Sequence, residues 1–386
     1  MSPESSISRR SLLGTLGSAI AGTWLGSLTP GRAGAQEQPA KPRTNIADAS
    51  QQPRTADSMP GKFPGTVVMA RNEKVWANDK PDLGLLDRMV ERALLSLTGA
   101  SSIQTAWREF VTPEDIVGLK VNPVAGRLLS TSPEIVQVII TQLEKAGIPR
   151  KNIVIWDRRE FELHETGFTS DAFPGVRITG TERKDAAGSF RDKAGKLYSE
   201  AVIDRDWYYW ADVEEKYDEE TFPYMVNEGK HSYFTGICTK EVTRIINVPI
   251  LKNAGSSVTL CMKNLAYGAI TNTSRLHKTL WHETCAEVPA FAPLRDKVVL
   301  NIVDGVKGCY QGGPAANPQF ITTFATILAG TDPVAVDRIG YDIILKKRIE
   351  QKIQKEENPK ARTFMDLAAK LGLGKADLGT IDVTTV

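Results

Sequence analysis

Residues 116–157 contain a strand–helix–strand pattern, which limits the folds available to this chain more than any other feature. Residues 116–121 and 152–157 are short apolar runs with the length of buried strands. Between them, residues 132–147 begin with Ser-Pro-Glu and end at a glycine, and these are typical start and stop signals of a helix. The connections on either side of the helix are short, so we predict two parallel strands joined by a right-handed crossover.

The alternation of strands and helices returns in the second half of the chain. Three further apolar runs are predicted strands: residues 243–248, 297–303 and 320–329. Asp332-Pro333 then begins a helix, and residues 381–383 have the pattern of an edge strand. We predict an α/β fold, a mostly parallel open sheet flanked by helices, in a single domain over residues 63–386. Residues 158–235 are polar, aromatic and rich in turns, so we predict an irregular insertion there.

The first 35 residues have the features of a twin-arginine signal peptide. Arg9 and Arg10 directly precede an apolar stretch that is too short and too rich in glycine to span a membrane comfortably. An ordinary secretory signal or an uncleaved anchor is the alternative interpretation. Residues 36–62 have few apolar anchors and are predicted to be a disordered leader or a wrapped arm. We therefore expect a periplasmic or otherwise exported protein, with the twin-arginine translocase as its partner during export and no stable transmembrane anchor after cleavage.

Charge argues against nucleic acid as a partner. The full chain has a formal net charge of +2, and cleavage after residue 35 would remove three arginines and one glutamate. A nearly neutral chain without a run of basic residues lacks the positive surface that nucleic-acid binding requires.

The four cysteines, Cys238, Cys261, Cys285 and Cys309, form no Cys-x-x-Cys pair. A cluster held by this chain alone is therefore not expected. An oxidising compartment would allow up to two disulfides, with three possible pairings. Export of an already folded chain favours buried free thiols, at least for Cys261, which lies in an apolar run.

Polar residues follow the predicted strands where those strands end. They are Lys120, Asn122, Asp157, Arg158, Asn247, Lys252, Asp304 and Asp332. Each has a structural explanation as well, such as a helix N-cap for Asp332 or a turn before proline for Asn122 and Asn247. Ligands of open parallel sheets bind beyond the carboxyl ends of the strands, so together these residues predict a ligand-binding cleft.

Lys120 is the most informative of these residues, because it interrupts a run that is otherwise apolar. A lone buried ammonium is costly, so it must pair with a carboxylate or face a ligand. Asp157, on the neighbouring predicted strand, is the candidate partner. Lys252 and Lys263-Asn264 also follow apolar runs, although a solvated loop is an equal alternative for Lys252. Several cations near one cleft favour an anionic ligand, a carboxylate or phosphate.

His277, His282 and Cys285 are the densest group of potential metal ligands. The spacing of His282 and Cys285 fits one helix face, whereas His277 would need a turn or a carboxylate from elsewhere to complete a site. The sequence does not decide whether a divalent metal ion is a cofactor. The alternative is that His277 acts singly as an acid or base.

These residues lead to one main hypothesis, an exported protein that acts on a small anionic ligand at the carboxyl edge of the sheet. The expected ligand-binding residues are Lys120, Asn122, Lys252, Lys263 and Asn264. The residues expected to transfer protons or bind a divalent cation are Asp157, His277 and Asp304. Whether the chain is an enzyme is left open. A non-catalytic periplasmic binding protein and an accessory partner of an envelope redox or metal complex are the alternatives.

Several segments, in this order, resemble the bacterial and archaeal family called domain of unknown function 362, over about residues 113–375. They are Val117 to Pro123, Ser132 to Glu134, Ile155 to Asp157, Ile246 to Lys252, Met262 to Leu265, His277, Ile302 to Gly305, Gly330 to Asp337 and Leu371 to Gly374. The resemblance implies a twin-arginine leader but no defined biochemistry. Some members carry a cysteine-rich ferredoxin-like domain, which is missing here. The family usually has a histidine where Asn253-Ala254 stands in this chain.

Overall fold

The computed structural model describes residues 41–215 and 226–386, and the signal peptide and most of the leader predicted above lie outside them. The described residues form fourteen strands and eleven α-helices. The strands are β1 (Thr66–Arg71), β2 (Trp76–Ala77), β3 (Lys80–Pro81), β4 (Val117–Lys120), β5 (Ile153–Arg159), β6 (Arg177–Glu182), β7 (Ile203–Trp210), β8 (His231–Thr235), β9 (Arg244–Asn247), β10 (Ile250–Ala254), β11 (Ser257–Thr259), β12 (Val298–Cys309), β13 (Ile321–Gly330) and β14 (Asp382–Thr385). The helices are α1 (Ile46–Gln51), α2 (Leu83–Thr98), α3 (Ile103–Arg108), α4 (Pro133–Lys145), α5 (Glu160–Glu165), α6 (Cys261–Ala269), α7 (Ser274–Thr279), α8 (Trp281–Glu287), α9 (Ala292–Arg295), α10 (Pro333–Glu350) and α11 (Thr363–Lys370).

One large sheet organises the domain, with the strand order β14-β1-β13-β12-β9-β4-β5-β6. The five neighbours β12, β9, β4, β5 and β6 are parallel. β13 is antiparallel to both of its neighbours, β12 and β1. β10 adds a parallel pairing to the far half of β12, and β11 pairs with β10. The predicted α/β class with a mostly parallel sheet is confirmed, and β14 lies at the sheet edge as expected.

Both faces of the sheet are covered by helices, and its central strands β4, β9 and β12 are therefore buried at nearly every position. In β5, Ile153 and Ile155 face one core with α2 and α4, whereas Val154 and Trp156 face a second core. The second core is closed by α6, α8, α10 and α11. Side chains alternate across a strand, so a run that is apolar throughout must be buried on both sides.

The crossover helix α4 begins as its sequence predicts. The Ser132 side chain accepts a hydrogen bond from the backbone N–H of Ile135, and Pro133 occupies the first turn. This cap fixes where the chain turns from β4 into the helix, and so fixes the position of the loop at the carboxyl end of β4.

The predicted insertion at residues 158–235 is only partly an insertion. Its first part forms α5 and β6, and β6 is the edge strand of the main sheet, parallel to β5. The later part contains β7 and β8, a separate antiparallel pair. Arg275 attaches this pair to the domain, because its buried guanidinium donates to the backbone oxygens of Ala211, Val213 and Lys230.

Residues 41–62, which the sequence predicted to be a disordered or wrapped leader, contain α1 and pack on the domain from Pro42 onwards. Met59 and Ala49 are buried in the core. The Arg295 guanidinium donates to the backbone oxygens of Ala49 and Pro53, at 3.1 and 3.0 Å. Two apolar anchors and one buried arginine therefore order a segment that composition alone marks as disordered. None of the helices in the described ranges has the length and apolar character needed to span a membrane.

Candidate functional site

A buried ion pair lies at the carboxyl ends of β4 and β5. Lys120 donates to Asp157, as expected from the sequence, and also to the backbone oxygen of Val121 and to Asn264 Oδ1 at 2.7 and 2.9 Å. Burial lowers the pKa of Lys120, and the Asp157 carboxylate opposes that shift. Three acceptors saturate the ammonium group, so this lysine is held in place by the protein itself.

Four asparagines extend this pair into a continuous chain of amides. Asn122 donates to Asn264 Oδ1 at 3.0 Å, and Asn264 donates to Asn247 Oδ1 at 2.8 Å. Asn247 in turn donates to Asn301 Oδ1 at 2.9 Å. The side chains of all four are buried, and their amides satisfy one another. The chain of amides therefore fixes the orientation of Asn122 and Asn264, the two members that reach the cavity described next.

A cavity of about 100 Å³ lies above this network. It is lined by Asn122, Val124, Asp157, Arg158, Lys252, Thr259, Lys263, Asn264, Tyr267, Gly268, His277 and Pro314. We call it the carboxyl-edge cavity, because its residues come from the carboxyl ends of β4 and β5, from β10 and from the helices α6 and α7. The location agrees with the general position of ligands in open parallel sheets.

Two lysines of this cavity have no carboxylate partner among the described residues. Lys252 donates to Asn122 Oδ1 at 2.8 Å, and Lys263 lies 3.5 Å from Thr259 Oγ1. Burial, together with the charge of Lys263, lowers the pKa of Lys252 from 10.5 to about 7. Burial also lowers the pKa of Lys263, whose ammonium lies 5.6 Å from the centroid of the Tyr267 ring.

His277 is at the mouth of the cavity, with its ring partly exposed. Its Nδ1 lies 3.0 Å from the backbone oxygen of Thr273, and since a carbonyl only accepts, Nδ1 carries a proton. Partial burial, followed by the charges of Lys263 and Arg158, lowers the pKa of the imidazole. His277 is therefore neutral near pH 7, with a lone pair on Nε2.

Arg158 is the third basic residue that lines the cavity, and contacts with neighbouring residues fix the position of its guanidinium. Its guanidinium donates to Thr273 Oγ1 and to the backbone oxygen of Tyr267. Its Nε lies 3.5 Å from a carboxylate oxygen of the fully buried Glu182. Burial raises the pKa of Glu182, and the two arginines Arg158 and Arg159 oppose that shift.

Two residues expected at this site lie elsewhere. Asp304 is in the middle of β12 on the opposite face of the sheet, where it accepts from the backbone N–H of Ser132 and lines a different cavity of about 340 Å³. Asp332 follows β13, and because β13 is antiparallel, it lies at the other end of the sheet. Its carboxylate caps α10 and accepts from the backbone N–H groups of Gly65 and Lys375. The N-cap interpretation of Asp332 is confirmed.

The expected metal ligands do not form a metal site. Within residues 41–215 and 226–386, no three His, Cys, Asp or Glu side chains are grouped so as to hold a metal ion. His277 is on α7, whereas His282 and Cys285 are on α8, and Cys285 is fully buried. Burial raises the pKa of the Cys285 thiol well above its ordinary range, which disfavours a thiolate ligand. All four cysteines are free and buried, in agreement with the expectation for Cys261.

Two residues that support the site were not found from the sequence. Asp337 accepts from the backbone N–H groups of Cys261 and Met262, so its carboxylate fixes the first turn of α6, which carries both Lys263 and Asn264. Gly268 leaves the space that Lys120 fills, since a Cβ at this position would overlap the Lys120 side chain. The Asp-Pro-x-x-x-Asp spacing at residues 332–337 was the available signal for Asp337.

The fold and this cavity define the class of the protein, a mostly parallel α/β sheet protein with a polar cavity at the carboxyl edge. The sequence profile described as Domain of unknown function (DUF362) matches residues 117–342, which is more than half of the chain. The chain therefore belongs to this family, as its motifs predicted.

Curated proteins give no significant sequence match. Two solved structures resemble parts of the chain at 7% sequence identity. A Thermotoga maritima protein covers 70% of this chain with a TM-score of 0.38, and the chain spans 60% of that protein. The lactate racemase apoprotein of Thermoanaerobacterium thermosaccharolyticum covers 69% of this chain with a TM-score of 0.32, and the chain spans 54% of it. Both likenesses are too distant to bear on function.

Proposed function

We propose that this protein is an enzyme that binds a small anionic ligand in the carboxyl-edge cavity and uses His277 to move a proton. The observation that carries the proposal is that Lys252 and Lys263 line one cavity without a carboxylate partner among the described residues. Buried charges in proteins are ordinarily paired, as Lys120 is with Asp157. Two lysines that line one cavity without a carboxylate partner among the described residues favour a ligand that supplies the negative charge.

The volume of the cavity limits the enclosed part of the ligand to a few non-hydrogen atoms. A cavity of about 100 Å³ is well below the roughly 300–1,000 Å³ of pockets that hold drug-sized molecules. A small carboxylate or a phosphate ion fits this limit, whereas a nucleotide does not.

His277 supplies the group for proton transfer. Its hydrogen bond to the Thr273 carbonyl leaves Nε2 as an acceptor. The lowered pKa keeps the imidazole neutral at pH 7, which is the form that a general base requires. Asp157 is an unsuitable base, because its carboxylate is already engaged by Lys120.

Thermal unfolding with small anions tests the binding half of the proposal. A ligand that binds the folded state alone raises the unfolding temperature as its concentration rises. We expect small carboxylates or phosphate to stabilise the wild type, and we expect Lys263→Met to abolish the effect. Lys370→Met, which changes an exposed lysine outside the cavity, is the matched control. Equal stabilisation of wild type and Lys263→Met would place the anion elsewhere.

Hydrogen–deuterium exchange at carbon tests the catalytic half. The stabilising carboxylate is incubated with the protein in D₂O, and loss of the C–H signal next to its carboxylate or carbonyl carbon is followed by NMR. We expect exchange with the wild type and with His164→Asn, which alters an exposed histidine outside the cavity, but not with His277→Asn. Binding without exchange in the wild type would identify a non-catalytic binding protein instead.

We also propose that the protein is exported through the twin-arginine pathway. The proposal rests on Arg9 and Arg10 before the apolar stretch of the first 35 residues. Fractionation of cells that express the full chain should place the shortened protein outside the cytoplasm. Replacing both arginines with lysine should leave the uncleaved chain inside, and unchanged export of that variant would contradict this route.

A further inference from the structure

Among the buried or partly buried lysines of the described residues, Lys252 and Lys263 have fewer hydrogen-bond acceptors than Lys120 and Lys297, and Lys252 is the more completely buried of the two. Lys120 donates to three acceptors, and the partly buried Lys297 donates to three backbone oxygens. Lys252 has a single protein acceptor within the described residues, Asn122 Oδ1. An ammonium has three donors, so Lys120 and Lys297 are satisfied as cations, whereas Lys252 is not.

A neutral amine explains the surroundings of Lys252 better than an ammonium does. One N–H of the neutral form satisfies Asn122 Oδ1, and the nitrogen keeps its lone pair. The side chain has no surface exposed to bulk water, and the positive charge of Lys263 is close enough to lower the pKa of Lys252. Burial beside a second cation is the arrangement that activates a lysine as a nucleophile.

The geometry points to Lys252 as an imine-forming residue for a small 2-oxo acid, with the carboxylate of that acid held by Lys263 and Arg158. This inference rests on the proposed anion-binding role of the carboxyl-edge cavity and names its substrate class. All three residues line the same cavity, whose volume suits a molecule of the size of pyruvate or glyoxylate. Because the carbonyl carbon is bonded directly to the carboxylate carbon, a carboxylate held in this cavity also keeps the carbonyl group in the cavity that Lys252 lines.

The step balances without any further reactant. The Lys252 nitrogen leaves Asn122 Oδ1 and attacks the carbonyl carbon, and a C–N bond forms as the carbonyl π bond breaks. The resulting alcohol oxygen takes up a second proton and leaves as water, and the nitrogen loses its protons to give a C=N bond. With pyruvate, protonation of this imine draws electrons from the C–H bonds of the adjacent methyl group, so that a base such as His277 can remove one of those protons. The glyoxylate imine has no such C–H bond, and the reaction of glyoxylate ends at the imine.

Reductive trapping tests the inference on the full folded protein. Wild type is incubated with pyruvate or glyoxylate and borohydride, and the reduced adduct is located by peptide mass mapping. We expect one adduct per chain, on Lys252, and none with lactate, which has no carbonyl group to react. Lys252→Arg keeps a long basic side chain but should not form the adduct. Lys263→Met removes one of the groups proposed to hold the carboxylate, so trapping should need more 2-oxo acid, and its pH midpoint should shift upwards. Mapping of the wild-type adduct requires no variant to fold.

The outcomes separate this inference from the proposed function. An adduct confined to Lys252 supports the inference. Trapping on Lys263 or spread over exposed lysines overturns it. Stabilisation by pyruvate and lactate without any trapping overturns the imine but leaves anion binding intact. The absence of trapping, together with the absence of stabilisation by pyruvate, lactate and phosphate, overturns the two proposals together.

Discussion

Removing the Lys252 amine should stabilise the folded protein, although the residue is fully buried. Burial lowers the pKa of Lys252 from 10.5 to about 7, so the folded chain binds this proton less tightly than the unfolded chain does. At about pH 7 this difference costs the folded state about 4 kcal/mol, since each pKa unit corresponds to about 1.4 kcal/mol. Lys252→Met removes that cost but leaves Asn122 Oδ1 without its donor, which costs about 1–3 kcal/mol. We expect a net gain of about 1–3 kcal/mol at about pH 7.

The pH dependence identifies the cause of this gain. The pKa of Lys252 is lower in the folded chain than in the unfolded chain. The destabilisation of the folded state by Lys252 is therefore largest at pH values below the folded-state pKa, and it disappears as the pH rises through the unfolded-state pKa of 10.5. Between about pH 7 and about pH 10, the advantage of Lys252→Met over wild type should shrink by about 3 kcal/mol. Groups that do not interact with Lys252 titrate equally in both proteins and cancel in the difference.

Urea unfolding at the two pH values, followed by circular dichroism, measures this difference. Lys370→Met should change the free energy of unfolding by less than about 0.5 kcal/mol at either pH, because Lys370 is exposed. A difference between Lys252→Met and wild type that does not vary with pH would refute the argument, since it would mean that the Lys252 amine keeps an ordinary pKa.

Three further substitutions test the contacts that support the cavity, and each variant is compared with wild type by urea unfolding. Asp157→Asn leaves Lys120 buried without its counter-charge, and should lower the free energy of unfolding by about 3–5 kcal/mol. Gly268→Ala drives a methyl group into the Lys120 side chain and should lower it by about 1–3 kcal/mol. Asp337→Ala leaves two backbone N–H groups of α6 without an acceptor and should lower it by about 2–3 kcal/mol. Changes within about 0.5 kcal/mol of wild type would contradict the corresponding contact.

Local patterns were enough to predict the parallel core and one of its buried contacts. Lys120 is a single charge in an apolar run, so its need for a partner is visible in the sequence. The register that pairs Lys120 with Trp156 brings Asp157 beside it on the adjacent strand. The two residues are neighbours through a short crossover, and for that reason sequence reasoning was able to join them.

Strand direction and long-range packing could not be predicted from local sequence patterns. Asp304 and Asp332 were placed at the cavity on the assumption that every strand points the same way and that every polar residue lies at its end. β13 runs antiparallel, and β12 continues past Asp304 to Cys309, so both residues lie elsewhere. The length of a strand and its partners depend on pairings across the whole chain, which the composition of one segment does not record.

The positions of the lysines distinguish a lysine that supports the fold from lysines that are proposed to contact the ligand. Lys120 is the most conspicuous charged residue in an apolar run of the sequence, yet its ammonium group donates to Asp157 and two further acceptors. Lys120 therefore fixes the position of Asn264, which lines the cavity. Lys252, for which a solvated loop had been an equal alternative, lies instead in the strand β10, where it is fully buried and lines the cavity. The lysines without a carboxylate partner among the described residues are Lys252 and Lys263, so a variant that separates binding from folding must be made at these two residues rather than at Lys120.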